Sequence, residues 1–218
     1  MKYLIGIGCG IVNYILYAAW IQDKKDGQKY RLLGTVFPGT HTGWTALLLF
    51  PLAEMFAAIV FTAYGYSFLK IVRYCLLMGA LVPIGYRDHK DRIIPNRWLL
   101  CLAGIRITLF AVESACYPSF IVANVKLILG GAAAGGLILF AAYVISRHGI
   151  GPGDIKLFIV IGTYIGSQRT YIVILASLLI AACYSVVKII RKRLNVKDEI
   201  AFAPFIAVGT TIILGLGF

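Results

Sequence analysis

With 218 residues, 60% of them hydrophobic and 14% charged, and a mean hydropathy of +0.86, this chain is too apolar for a water-soluble domain and reads as a polytopic membrane protein. The formal charge of +12 calls for no nucleic acid, because the basic residues collect in short juxtamembrane loops where anionic lipid attracts them. Cys9, Cys75, Cys101, Cys116 and Cys183 form no C-x-x-C pair, His41, His89 and His148 form no H-E-x-x-H, and there is no G-x-S-x-G elbow; a disulfide framework, a zinc protease and a serine protease are all disfavoured.

Eight apolar stretches, at about 3–21, 44–64, 68–86, 97–112, 119–146, 155–167, 170–189 and 200–217, predict an all-α bundle of eight transmembrane helices. The first opens with Lys2 and has the look of a signal peptide. No small-x-small cleavage site closes it, however, and the basic residues Lys24, Lys25, Lys29 and Arg31 follow directly, so a retained helix is expected. The linker from Gln22 to Gly43 mixes charge with Gly, Pro and Thr and reads as a loop. Glu54, inside the second stretch, is expected to be neutral, to face a partner helix or to mark a separate function.

The third stretch runs into Tyr86-Arg87-Asp88-His89-Lys90-Asp91-Arg92-Ile93-Ile94-Pro95-Asn96. Pro95 lacks a donor and disfavours helix in the residue before it, so the chain should turn there before Arg97 opens the next span. Asp88 is then either an acid at the end of the third helix or a solvated loop acid among Arg87, Lys90 and Arg92; Asp91, one turn away, shares its helical face. In the fourth stretch Arg106 should face protein and find a structural partner.

Gly151-Pro152-Gly153-Asp154 follows the fifth stretch, 66 residues after Asp88. With Gly149, these glycines allow a bend and a close backbone approach, and Asp154 is either an acid with a task or an ordinary cap of the next helix. That helix is short, so it is a truncated helix inside the bundle or a re-entrant segment. Trp20, Trp44 and Trp98 fit interfacial anchors. An intramembrane carboxylate is costly, which makes two of them a functional-site hypothesis in itself.

The basic residues alternate between loops. Lys24, Lys25, Lys29 and Arg31, then Arg87, Lys90, Arg92 and Arg97, then Arg147 and Lys156, then Lys188, Arg191, Lys192, Arg193 and Lys197 fall on one side, which the positive-inside rule makes cytoplasmic. Both termini then lie on the other side, and Asp88 and Asp154 share the cytoplasmic boundary.

Three features together resemble the prepilin peptidase family of G-x-G-D intramembrane aspartyl proteases. Asp88 stands seven residues before the Pro of Ile94-Pro95-Asn96, Gly151-Pro152-Gly153-Asp154-Ile155-Lys156-Leu157 matches the second motif including its Lys, and Ile200-Ala201-Phe202-Ala203-Pro204-Phe205-Ile206-Ala207-Val208-Gly209 looks like the family's Pro-Phe segment in the last helix. The resemblance covers about residues 68–218, which suggests two N-terminal helices with a basic cytoplasmic loop (1–67) ahead of a six-helix catalytic domain (68–218).

The resemblance implies that Asp88 and Asp154 are the catalytic pair, with Gly151, Gly153, Lys156, Pro95 and Asn96 as supporting motif residues and no metal or organic cofactor. The expected partners are membrane lipids and a type IV pilin-like precursor, whose short basic leader is removed at the cytoplasmic face of a bacterial inner membrane. Two like charges held together do not both ionise readily, so such a pair shares a proton and titrates as a unit. Lys156 would tune the acid or meet lipid phosphates. Bifunctional members carry a Cys-rich domain between their first helices and also N-methylate the product; the Cys pairs and the room for it are missing here, so peptidase activity without methylation is expected, as in compact enzymes of Tad/Flp-type or Gram-positive pilus systems. The competing readings are a proton-coupled transporter, with the two acids as a relay, and a catalytically silent membrane scaffold.

Overall fold

A computed structural model describes residues 2–22, 41–145, 150–191 and 200–217. Among them are eight α-helices: α1 (Lys2–Gln22), α2 (His41–Ala63), α3 (Phe68–Asp91), α4 (Asn96–Cys116), α5 (Ile121–Ile145), α6 (Pro152–Ile165), α7 (Ser167–Ile190) and α8 (Ala203–Gly215), with a 3-10 turn at Pro118–Phe120 ahead of α5. The all-α bundle read from the apolar stretches is therefore the observed architecture. Four helices are long and apolar enough to cross a bilayer, namely α3, α4, α5 with its preceding turn, and α7; Leu4–Ala18, Leu47–Ala63 and Ala203–Gly215 are shorter apolar segments. The Lys24–Arg31 loop, Arg147, His148, Gly149 and the Lys192–Lys197 cluster lie outside the described residues, as do the side chains of Trp20 and Trp44.

The chain separates into two compact units, and the division falls inside α3 at Pro83. A proline inside a helix removes one backbone hydrogen bond and crowds the preceding turn, so a helix can change partners there at low cost. The first unit, residues 1–83 with Gly217, packs α1 against α2, and Asn13 of α1 reaches the backbone of α3 at Cys75. Gly6 and Gly10 bring α1 against the backbone of α2 at Glu54, Met55 and Pro51. Glu54 is buried and accepts a hydrogen bond at Oε1 from Asn13 Nδ2 (3.1 Å), which also donates to the Cys75 carbonyl (3.1 Å). Of the readings open to Glu54, contact with a partner helix is the one observed.

The second unit, from Ile84 to Leu216 with Phe218, holds the end of α3 and α4 to α8. Its closest packing is between α5 and α6. A Cβ on Gly131 would run into the Gly162 carbonyl, one on Gly162 into the Gly131 carbonyl, and one on Gly135 into the Phe158 backbone. Small residues four apart let two apolar helices meet backbone to backbone, the usual basis of helix association in lipid. The outward face of α7 is the reverse, with Leu175, Leu179 and Ile190 exposed, a surface suited to acyl chains.

α6 has 14 residues, about 21 Å at 1.5 Å per residue, less than the roughly 30 Å of a hydrocarbon core. Eight of its residues are buried, so of the two readings it is the truncated helix packed among neighbours. Its last turn needs partners for carbonyls that the helix leaves open. Arg106 supplies one: Nε donates to the Thr163 carbonyl (2.8 Å), while Nη1 pairs with Glu113 Oε2 (3.2 Å). A cation at a helix C-terminus also opposes the helix dipole favourably. Tyr164 Oη completes the attachment by donating to the Leu102 carbonyl (2.7 Å). Arg106 thus faces protein as expected, and its partner is two turns farther along its own helix.

Candidate active site

Asp88 occupies the last turn of α3. The helix stops three residues later because Arg92 adopts a left-handed conformation (φ 54°) and its N–H closes on the Asp88 carbonyl (2.8 Å). Such a cap is normally glycine, since a Cβ in that region costs about 1–2 kcal/mol. Strain of this sort clusters at functional sites. Ile93, Ile94 and Pro95 then form the turn, and α4 starts at Asn96 with Pro95 as its N-cap residue in extended conformation. The expected turn at Pro95 is observed.

The Asp88 side chain points inward, 7% exposed, and is no solvated loop acid. Its Oδ2 accepts a hydrogen bond from the backbone N–H of Ala203 (2.9 Å), the first residue of α8. The first N–H groups of a helix have no internal partner, so Asp88 caps α8 from a different helix. α8 reaches this position because Gly85 leaves room: a Cβ there would come within 3.2 Å of Pro204 Cα. Ala203-Pro204-Phe205 is therefore joined to Asp88 directly. Asp91, by contrast, is tied up with Arg87 (2.7 Å).

Asp154 is 9% exposed and lies in the first turn of α6. It is not the cap. Pro152, whose fixed φ suits the first helical position, starts the helix three residues earlier than expected and makes Gly151 the N-cap residue, with Asp154 third in the helix. There its carboxyl folds back over Gly151, so that a Cβ at 151 would stand 3.2 Å from Oδ2. Gly151 has an ordinary extended backbone (φ −68°, ψ 139°), so it is this space rather than an unusual turn that favours glycine. Gly153 serves a similar purpose: a Cβ there would lie 3.3 Å from the Ile94 Cβ. What approaches is a side chain of the Ile94-Pro95-Asn96 turn, where the sequence suggested a backbone.

The two acids of separate motifs come within electrostatic range of each other. The charge of Asp88 acts on the Asp154 carboxyl, and Asp154 Oδ1 is buried with no hydrogen-bond partner among the described residues. A second link joins the motifs at their rim, where Lys156 Nζ donates to Asn96 Oδ1 (3.1 Å). That contact is neither of the roles anticipated for Lys156. Trp98 requires a correction as well: it is 2% exposed, with the Arg87 guanidinium 5.3 Å from its ring, and so packs inside the unit rather than anchoring an interface. Among the described residues no group of three His, Cys, Asp or Glu side chains is placed to hold a metal ion. Sequence reasoning missed the Ala203 N–H as a partner of Asp88, since a backbone donor carries no residue signature, and it missed Glu113, which stands seven residues from Arg106 on one helical face.

Residues 75–186, which include both acids, match the type IV leader peptidase family. The chain is 32% identical over 171 residues to a prepilin leader peptidase/N-methyltransferase of Bacillus subtilis, an alignment covering 75% of this chain and 64% of that protein. It is 26% identical over 175 residues to the protein of the same name from Aeromonas hydrophila (76% of this chain, 57% of the relative), and 26% over 148 residues to that of Burkholderia pseudomallei (65% and 45%). The chain thus spans about half to two thirds of the length of these relatives. No solved structure matches it.

Proposed function

We propose that this chain, which belongs to the type IV leader peptidase family, is an aspartyl endopeptidase that removes the short basic leader of a type IV pilin-like precursor. The observation that carries this reading is the meeting of Asp88 and Asp154, two buried carboxyls from motifs 66 residues apart. The alternating basic loops support a site at the cytoplasmic face of a bacterial inner membrane, and the division into 1–67 and a catalytic 68–218 follows from the extent of the motifs. The absence of a C-x-x-C pair between α1 and α2 supports cleavage without N-methylation.

Peptide hydrolysis needs a base for water and an acid for the carbonyl. A backbone N–H donated to a carboxylate favours its charged form; Asp88 accepts two, from Ala203 and Phe202, against one from Gly151 to Asp154, so Asp88 takes the part of the base. Asp154, on which the charge of Asp88 acts and whose Oδ1 has no partner among the described residues, carries the proton. Asp88 removes a proton from water as its oxygen attacks the scissile carbonyl carbon, and Asp154 protonates the carbonyl oxygen. In collapse, the hydroxyl proton returns to Asp154, the proton on Asp88 passes to the leaving nitrogen, and the C–N bond breaks. The leader departs with a new carboxyl group, the apolar helix departs with a new amine, and the pair regains its starting state.

The test is cleavage of a co-expressed pilin-like precursor by the purified chain, compared with Asp88→Asn and Asp154→Asn. Each substitution should abolish cleavage, and Asn at 88 keeps an acceptor for the Ala203 N–H, so the helix contact survives. Cleavage persisting in both variants would exclude the aspartate pair.

A further inference from the structure

The first unit buries a polar centre of its own. Gly6 and Gly10 set α1 on the backbone of α2, and Gly79 opens a place on α3, where a Cβ would fall on the Asn13 side-chain amide. The side chains that meet there are Asn13 (0% exposed) and Glu54 (4%). Both hydrogens of the Asn13 amide are in use, one on Glu54 Oε1 and one on the Cys75 carbonyl, each at 3.1 Å. Two oxygens are left over, Asn13 Oδ1 and Glu54 Oε2, both buried and without a hydrogen-bond partner among the described residues. An amide oxygen only accepts, and so does an ionised carboxylate, so neither can serve the other. The groups that face the Glu54 carboxyl are Asn13 and Cys9 of α1 and the Cys75 thiol and Gly79 N–H of α3, and none of these is a cation. α2 contains no Lys or Arg, and α1 contains only Lys2, about three turns from Asn13. On α3 the cations are set against aromatic rings, Lys70 Nζ 3.6 Å from the centre of Tyr66 and the Arg73 guanidinium 5.4 Å from that of Tyr74. A buried carboxylate with no cation facing it is costly, and so is each buried oxygen without a donor.

We infer that this centre is a proton-binding site: Glu54 holds one proton on Oε2 and donates it to Asn13 Oδ1, closing a carboxylic acid–amide ring that joins α1 to α2. The two orphan oxygens are bonded to the same carbons as the atoms of the observed Asn13–Glu54 hydrogen bond. The terminal torsions of both side chains are soft, so one added hydrogen satisfies both oxygens. The proton comes from water, only an O–H bond forms, and the centre becomes neutral. A metal cation would need more oxygens than these two, and the amide hydrogens already occupy Oε1 and the Cys75 carbonyl. Loss of the proton leaves Oε2 and Oδ1 as two acceptors with no donor between them, and the contact turns from attractive to repulsive. The site therefore works as a joint keyed by a proton: α1 stays on α2 while Glu54 is neutral and loosens as it ionises.

The test is infrared spectroscopy of the full chain in vesicles of phosphatidylethanolamine and phosphatidylglycerol, with the glutamate side-chain carboxyls isotopically labelled. The label reports only Glu54, Glu113 and Glu199, and so excludes Asp154. Glu113 is paired with Arg106. A protonated carboxyl shows a C=O stretch distinct from the carboxylate bands. At neutral pH the unaltered chain should show one such labelled band, and Glu54→Gln should lose it. A spectrum holding carboxylate bands only would overturn the inference, whatever the variant does. Reversible unfolding in mixed micelles gives a second readout. Gln at 54 makes the same ring with its own amide, so Glu54→Gln should keep the unfolding midpoint at neutral pH, whereas Glu54→Met should lower it. As pH rises, the folding constant of the unaltered chain should fall by about tenfold per pH unit relative to Glu54→Gln, the slope of one proton held by the folded chain and not by the unfolded one. A flat ratio would overturn the inference. Stabilisation by sodium chloride over choline chloride that is lost in Glu54→Gln would also overturn it, by assigning the two oxygens to a metal cation.

Discussion

At the scale of single residues, the site is assembled by contacts that a list of motifs does not contain. Gly151 and Gly153 are each backed by one neighbour, the Asp154 carboxyl and the Ile94 side chain, at 3.2 and 3.3 Å from where a Cβ would stand. Gly153→Ala is expected to push the first turn of α6 away from the Ile94 turn by a few tenths of an ångström, and near-attack geometry is sensitive to displacements of that order. Leader cleavage should fall about tenfold or more in kcat while thermal stability of the purified protein changes little. Gly104, on the exposed side of α4 with nothing within 4 Å of an added Cβ, supplies the contrast. There Gly→Ala should stabilise the protein by about 0.5–1 kcal/mol, seen as a higher unfolding midpoint with cleavage unaltered. From the sequence both glycines of the G-x-G-D motif stand out, but nothing in it tells which is backed by a carboxylate and which by an isoleucine. Trp98 shows the opposite error: an aromatic near a span end reads as an anchor until the Arg87 guanidinium on the preceding helix covers it.

At the scale of elements, α6 is the piece on which the candidate site depends. Its N-terminal turn carries Asp154, its middle lies backbone to backbone on α5, and its C-terminal carbonyl at Thr163 is held by Arg106. Removing the cation in Arg106→Met leaves the Glu113 carboxyl buried and the Thr163 carbonyl without its donor. Breaking a buried pair from one side typically costs about 3–5 kcal/mol. The double variant Arg106→Met, Glu113→Leu should recover part of that loss, and a double-mutant cycle on reversible unfolding in mixed micelles would measure it. Equal losses in the single and double variants would show that the Thr163 bond, not the ion pair, dominates. Gly131→Val should be more severe, since its side chain falls on the Gly162 carbonyl; loss of both folded yield and cleavage is expected. The helices themselves were legible from apolar run length. The start of α6 was displaced by three residues because Pro152 is as good an opening residue as Asp154 is a capping one, and the helix takes the earlier.

At the scale of the whole molecule, class and architecture followed from composition and eight apolar runs, because a bilayer leaves a chain few ways to satisfy its backbone. The two acids were nominated by their local patterns; that they share one site is a matter of packing. The division at Pro83 was not legible, since a proline within an apolar run gives no sign of whether the helix merely bends or also changes partners. The hydrogen bond from Ala203 to Asp88 has a consequence for biogenesis. The two residues are 115 positions apart, and the donor opens α8. A chain emerging from the ribosome therefore contains Asp88 and Asp154 long before it contains the backbone group that holds Asp88 in place. Until α8 is made and inserted, the nascent protein possesses both acids but not the donor that holds the first of them, so under the proposed function the insertion of α8 is also the step that completes the candidate site.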